Sequence, residues 1–172
     1  MADTPQKMEK YIETIYTKAN DMDKLVDELF LYSKLDLNRV PFNLEEIKIV
    51  DYITDCMEEL RFDLEKKSIY MDLDLNLDKD IKVAADREKL KRVINNIIGN
   101  SVKYMDKDIG KIKVSINEDE KHITFKIEDN GKGITKEALP FIFDRFYRAD
   151  PSRNTATGGS GLGLAISKRI IS

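Results

Sequence analysis

The chain has 172 residues but a single cysteine, Cys56, and a single histidine, His122. One cysteine excludes an intramolecular disulfide, and a reducing compartment is the simplest reading. There is no run of about 18 apolar residues, so no helix is expected to span a membrane. Met1-Ala-Asp-Thr-Pro-Gln begins polar and acidic, which does not read as a signal peptide. Positive charge is not in excess: 29 basic residues face 32 acidic ones, for a net charge of −3. That balance argues against a sequence-independent nucleic-acid binder. Internal repeats and low-complexity segments are also missing.

What is present suits a globular fold. Hydrophobic content is 41%, and the length fits one domain of ordinary size plus an appendage. Residues 6–36 carry Met8, Ile12, Ile15, Tyr16, Ala19, Met22, Leu25, Val26, Leu29 and Tyr32 at three-and-four spacing. The spacing predicts one long amphipathic helix, capped by Thr4 with Pro5 at its first position. Such a helix needs a partner: either its own chain or a helical bundle. Pro41 stops continuation beyond a connector at 35–40. Residues 42–44 read as a short extended piece and about 45–66 as a helix. Residues 68–75 alternate as a half-buried strand, 78–80 turn, and 81–85 form another strand. Asp86 then caps a helix over about 87–105, with Leu90, Val93, Ile94, Ile97, Ile98 and Val102 on its buried face. Residues 111–116 and 122–127 form a hairpin. Beyond Asp129, 136–141 reads as a short helix and 144–160 as a polar lid, because 17 structureless residues exceed ordinary loop length. A last helix starts near Gly161.

The chemistry-bearing residues lie in the second half. Asn96 and Asn100 share one helical face, where an amide oxygen can complete a magnesium shell that phosphates and waters mostly supply. Lys103 could neutralise phosphate charge, and the Tyr104 ring could pack on a nucleobase. A polar helix face with two ordinary asparagines is the alternative. Asp129-Asn-Gly-Lys-Gly-Ile134 fits an Asx turn equally with a buried carboxylate that accepts a hydrogen bond from an exocyclic amine, walled by Gly131 and Gly133. Arg145, Arg148 and Arg153 lie on or beside the lid, where planar guanidinium forks suit phosphate oxygens; a solvated basic loop is the alternative. Gly158, Gly159, Gly161 and Gly163 put four glycines in six residues ahead of an apolar helical pattern. A phosphate nest at a helix N-terminus explains this better than a flexible linker, and no Gly-Lys-Ser/Thr follows to make it a Walker-type loop.

Taken in order, Asn-x3-Asn-x2-Lys-Tyr, Asp-x-Gly-x-Gly, Phe-x2-Phe-x-Arg and Gly-x-Gly-Leu-Gly resemble the catalytic, ATP-binding domain of sensor histidine kinases. These belong to the wider ATPase superfamily that includes gyrase, MutL and heat-shock chaperones. The resemblance covers about 42–172, and Phe143, Phe146 and Arg148 point to the kinase branch. It implies an α/β (α+β) sandwich with a mixed sheet covered on one face by helices, plus the long N-terminal helix. It also implies ATP and Mg²⁺ as cofactors. Asn100 is then the magnesium ligand, with Asn96 beside it in the polar wall, Lys103 on phosphate and Tyr104 along the base. Asp129 holds the adenine amino group and Gly131 and Gly133 shape the base pocket. Arg148 and Arg153 reach phosphates from the lid, and Gly159, Gly161 and Gly163 complete the phosphate end.

By the same resemblance, residues 1–38 look like the second helix of the dimerisation and phosphotransfer hairpin. The implied partners are ATP, a response-regulator receiver domain and a second copy in the parent protein, without nucleic acid and without membrane contact by this fragment. The implied setting is cytoplasmic, within a parent that is a membrane-bound sensor. The family's acceptor motif, His-Glu/Asp-x-Arg-Thr-Pro, does not occur. His122, at the start of a hairpin strand, is an unsuitable acceptor. The family also continues past the last glycine helix into further strands, whereas the chain stops at Ser172. A fragment that binds Mg-ATP without autophosphorylating is therefore expected, with Met1-Ala2 read as a start ahead of an excised segment. Two rivals remain. One is a nucleotide-binding and dimerisation module without phosphotransfer. The other is an ATP hydrolase of another branch, disfavoured because Asn96 stands where those use a glutamate base.

Overall fold

The computed structural model describes residues 5–37, 39–119, 122–148 and 159–172, with Gln6 as backbone only. The chain divides into two compact units, Pro41–Pro140 and Met1–Val40 with Phe141–Ser172.

The 41–140 unit is an α+β layer structure. Its elements are β1 (Glu45–Lys48), α2 (Ile49–Glu65), β2 (Ile69–Leu75), β3 (Lys82–Ala85), α3 (Arg87–Lys103), β4 (Gly110–Glu118) and β5 (Ile123–Asp129); α1 is the N-terminal helix Pro5–Asp36. β2, β4 and β5 make a mixed sheet with β4 in the centre, parallel to β2 and antiparallel to β5. In β4, Ile112, Val114 and Ile116 are fully buried while Lys111 and Lys113 are exposed, the two-residue period of a sheet with one wet face. The buried face packs with Ile53, Met57, Ile94 and Ile98 from α2 and α3 into one core. The opposite face carries cross-strand charge, with Lys113 Nζ 3.0 Å from Asp74 Oδ2. Helices thus cover one face of the sheet, as expected.

Four details differ from the sequence reading. Residues 45–48 are strand, and the helix starts at Ile49. Ile47, fully buried, satisfies either period, and antiparallel pairing with β3, Glu45 opposite Ala85, decides for the strand. That ladder also means β3 pairs with β1 and not with β2, although only a turn separates it from β2. The extended piece at 42–44 forms no strand; Asn43 instead donates its N–H to Asp86 Oδ2 at 2.9 Å. The helix expected at 136–141 is only a 3-10 turn at Leu139–Phe141, with Thr135 accepting the Ala138 N–H through both its carbonyl and its hydroxyl.

α3 obeys its sequence signals. Asp86 is its N-cap, accepting the Lys89 N–H at 3.0 Å, and the same carboxylate takes the Lys89 ammonium at 2.6 Å. Val93, Ile94 and Ile98 are buried. Ile97, expected on that face, is only half-buried, although it lies within the arc that Val93 and Ile94 set.

The other unit joins α1 to α4 (Gly163–Ile171). Leu35, Leu162 and Ile166 are its buried centre, flanked by Leu31, Tyr32, Val40 and Ile170. Arg169 bonds Asp36, and the Ser160 hydroxyl donates to Glu28. Along α1, Ile12, Ile15, Tyr16, Met22 and Val26 are exposed; the apolar stripe is real.

Candidate functional site

In the 41–140 unit the site residues gather at the C-terminal half of α3 and the end of β5. Asn96 and Asn100 are half-buried on α3, one turn apart on the same face. Lys103 ends the helix and Tyr104 is its C-cap, with its N–H on the Asn100 carbonyl at 2.9 Å. The Tyr104 ring has two ammonium neighbours, Lys103 Nζ at 5.3 Å and Lys132 Nζ at 4.8 Å from its centroid. Two ammonium groups thus stand beside one ring at this corner.

Asp129 ends β5, as the sequence suggested. Its carboxylate is exposed, however, and not buried. Both oxygens are nevertheless fixed: Oδ2 accepts the Ser101 hydroxyl at 2.9 Å and Oδ1 accepts the Gly131 N–H at 2.9 Å. The Gly131 bond is the Asx turn that the sequence offered as the alternative. An ionised carboxylate can accept about four hydrogen bonds, so acceptor capacity remains on its open side.

The Asp129 loop is tied to the end of α3. Lys132 donates its N–H to the Tyr104 carbonyl at 3.3 Å. A side chain at Gly131 would place its Cβ 2.8 Å from that carbonyl oxygen and 3.0 Å from Asp129 Oδ1. Glycine is required there by close approach, not by turn conformation. Gly133 has φ of +70°. Asn130 pins the other side, its Oδ1 accepting the Lys111 N–H at 2.7 Å. The sequence reading missed Ser101 and Lys132. Ser101 had a signal: it follows Ile94 and Ile98 at helical spacing, so it is a hydroxyl where the core stripe calls for an apolar residue.

In the other unit, Gly159 and Gly161 have φ of +106° and +74°. Gly161 also lies against the backbone of Phe146, where a Cβ would be 2.9 Å from Phe146 Cα; its carbonyl accepts the Phe146 N–H at 3.1 Å. Ser160 Oγ accepts the Leu162 N–H at 3.0 Å, and α4 opens at Gly163. Arg148 is half-buried, and its Nε is buried with no hydrogen-bond partner among the described residues. An orphaned guanidinium nitrogen is costly unless something anionic meets it. Arg145 stacks over the Tyr32 ring at 5.3 Å. Arg153 and Gly158 lie outside the described residues.

Among the described residues there is no cluster of three or more His, Cys, Asp or Glu side chains that could hold a metal. A carboxylate cage is thus absent from them. A neutral amide oxygen such as that of Asn100 suits a magnesium ion whose other ligands are mostly phosphate and water.

Residues 85–172 match the family described as HATPase_c, Histidine kinase-, DNA gyrase B-, and HSP90-like ATPase. The chain belongs to this family. It is an ATP-binding catalytic domain of the sensor histidine kinase kind. WalK, a sensor histidine kinase of Bacillus subtilis, is 35% identical over 94% of the chain. The fold is that of ShkA, solved in complex with AMPPNP, at TM-score 0.78 and 21% identity over 99% of this chain and 34% of that one. It is also that of histidine kinase ThkA in its complex with response regulator protein TrrA, at TM-score 0.71 and 24% identity over 86% of this chain and 42% of that one. The chain spans 26% of the length of WalK and 44% of the sensor protein VanSC of Enterococcus gallinarum. No described helix is long and apolar enough to cross a membrane.

Proposed function

We propose that this domain binds Mg-ATP and transfers its γ-phosphate to a histidine outside the 172 residues, for relay to a response-regulator aspartate. What carries the reading is the Asp129 carboxylate, held by Ser101 and Gly131 beside the α3 end that also bears Asn96, Asn100, Lys103 and Tyr104. That arrangement supplies an acceptor for an exocyclic amine, a ring to pack on a base, and amides and an ammonium for the charged end of the same ligand.

In this reading Asp129 receives the adenine amino group, Gly131 and Gly133 keep its wall thin, and Tyr104 lines the base. Asn100 would hold the magnesium ion, with Asn96 next to it, and Lys103 meets phosphate. Arg148, whose Nε has no hydrogen-bond partner among the described residues, and Arg153 serve the phosphates, as do the backbone N–H groups at Gly159, Gly161 and Gly163. Magnesium supplies charge neutralisation on the phosphoryl oxygens. The contribution of the protein is positioning and charge. Residues 1–38 serve as one helix of a dimerisation hairpin, and 42–172 as the ATP-binding domain, in a cytoplasmic part of a sensor. The exposed stripe along α1 supports the dimer, and the kinase–regulator complex of a protein of the same fold supports the regulator as partner.

Titration calorimetry of Mg·AMP-PNP into the chain and into Asn100→Ala tests the site. Micromolar to submillimolar binding, lost in the variant, is the expected result. A folded chain that binds nothing would overturn the reading. Addition of an acceptor helical hairpin in trans with γ-labelled ATP then tests transfer. Binding without any label on the hairpin would favour a nucleotide-binding module that transfers nothing.

A further inference from the structure

The hydroxyl of Ser101 has a role that extends beyond α3. Ser101 is only 5% exposed, and it donates its proton to Asp129 Oδ2 at 2.9 Å across the gap from α3 to the end of β5. It stands on the core stripe of the helix, where Ile94 and Ile98 precede it. A serine there gives up apolar burial, so a compensating hydrogen bond is expected. Its acceptor is the one carboxylate that the proposed reading uses for base recognition.

Geometry explains what this hydrogen bond controls. The χ2 torsion of an aspartate is broad and weakly restrained. The Gly131 N–H fixes Oδ1 from the turn. A single bond of that kind leaves the carboxylate plane free to rock about it. The Ser101 hydroxyl fixes the second oxygen, and two anchored oxygens set the plane. Ser101 also follows Asn100 directly, and successive side chains leave a helix about 100° apart. One turn of α3 therefore aims an amide and, beside it, a hydroxyl that reaches Asp129.

We infer that Ser101 is a positioning residue for base selectivity: it orients Asp129 so that the open side of the carboxylate accepts the exocyclic amine of adenine. The inference rests on the reading of Asp129 as the base acceptor. Ser101 touches no nucleotide in this scheme. Its effect is confined to the energy difference between a base that carries an amine at that position and one that carries a carbonyl oxygen, which would meet the carboxylate acceptor to acceptor.

The test compares ADP with inosine diphosphate, both with magnesium, on the whole 172-residue chain. The two ligands share their phosphates and ribose and differ at the amine. For the unaltered chain ADP binds more tightly. For Ser101→Ala the ADP affinity falls roughly tenfold, the scale of one hydrogen bond to a charged group, while inosine diphosphate binding stays the same, so the preference narrows. An S101A chain that keeps the full preference, or loses affinity for both ligands equally, overturns the inference, because a purely structural serine would weaken both alike. Should S101A not fold cooperatively, Ser101→Cys, of similar size with a weak donor, carries the same comparison with the same outcomes. Asp129→Ala separates the two levels. If it abolishes the ADP preference while S101A and S101C leave it intact, the base reading stands and the Ser101 role fails. If Asp129→Ala keeps the preference, the base reading itself fails and the inference falls with it.

Discussion

The Tyr104 carbonyl oxygen lies 2.8 Å from where the Cβ of any residue replacing Gly131 would sit. That oxygen also accepts the Lys132 N–H, so it cannot withdraw without breaking the tie between the Asp129 loop and the end of α3. The second neighbour, Asp129 Oδ1 at 3.0 Å, is itself the acceptor for the Gly131 N–H. One added methyl group therefore pushes on both ends of the site at once.

Gly131→Ala should cost about 1–3 kcal/mol of stability, the usual scale of overpacking, and should weaken nucleotide binding by more than its stability loss suggests. Urea unfolding gives the first quantity and calorimetry with Mg·AMP-PNP the second. Gly133→Ala is the contrast: no atom lies within 4 Å of its Cβ position, and only the φ of +70° opposes it. Equal binding losses in the two variants would show that close approach to Tyr104 is unimportant.

Asp86 links pH to the anchoring of α3. Burial alone would raise its pKa; the Lys89 ammonium and the Lys89 and Asn43 N–H groups more than offset that and hold it at about 2. The carboxyl therefore titrates lower in the fold than in the unfolded chain. Its contribution is full above its unfolded value of about 3.9 and disappears as pH falls through about 2. Asp86→Asn keeps one acceptor but loses the charge and the second acceptor. A stability gap of about 1–2 kcal/mol is expected at neutral pH, narrowing once the pH drops below about 4. Urea midpoints of both proteins between neutral and acid pH measure it. A gap independent of pH would show that the charge contributes nothing.

Much of this was legible from the sequence, for identifiable reasons. Asp86 and the stripe that follows it use local signals, a cap and a helical period, and both hold in the fold. The hairpin of β4 and β5 also rests on local alternation. β1 was not legible. Ile47 satisfies strand and helix periods alike, and its partner Val83 is distant in sequence. The exposure of Asp129 was misread for a related reason. A carboxylate that accepts hydrogen bonds need not be enclosed, and those of Asp129 come from Ser101 and Gly131 while the residue stays exposed. The signal at Ser101 is faint, a single hydroxyl on the core stripe that acts on the face next to the one bearing Asn96 and Asn100.

The two isoleucines of α3 provide a packing test. Ile94 is fully buried among residues of α2 and the sheet, whereas Ile97, expected in the same core, is half-buried. Ile94→Ala should cost about 2–5 kcal/mol through lost burial and the cavity left behind. Ile97→Ala should cost well under half as much. Thermal unfolding of both variants ranks them, and similar losses would contradict the assigned core.

His122 is the only histidine in the chain and so the only residue able to mimic a phosphoacceptor within it. Its side chain is 76% exposed, and its Nδ1 lies 3.6 Å from Asp119 Oδ1. Its N–H donates to the same carboxylate at 2.9 Å. Such an exposed pair contributes little to stability; the backbone bond at the hairpin turn survives substitution. Nor does an imidazole at the entrance to β5 stand on a helix, where the proposed transfer chemistry places its acceptor. His122→Ala should therefore leave unfolding midpoints unchanged within about 0.5 kcal/mol and nucleotide affinity unaltered. With γ-labelled ATP alone, neither the unaltered chain nor H122A should retain acid-labile label, while both should label an added acceptor hairpin at the same rate. Stable label on the chain that disappears in H122A would place a phosphoacceptor on the sheet and overturn the assignment of transfer to a histidine elsewhere.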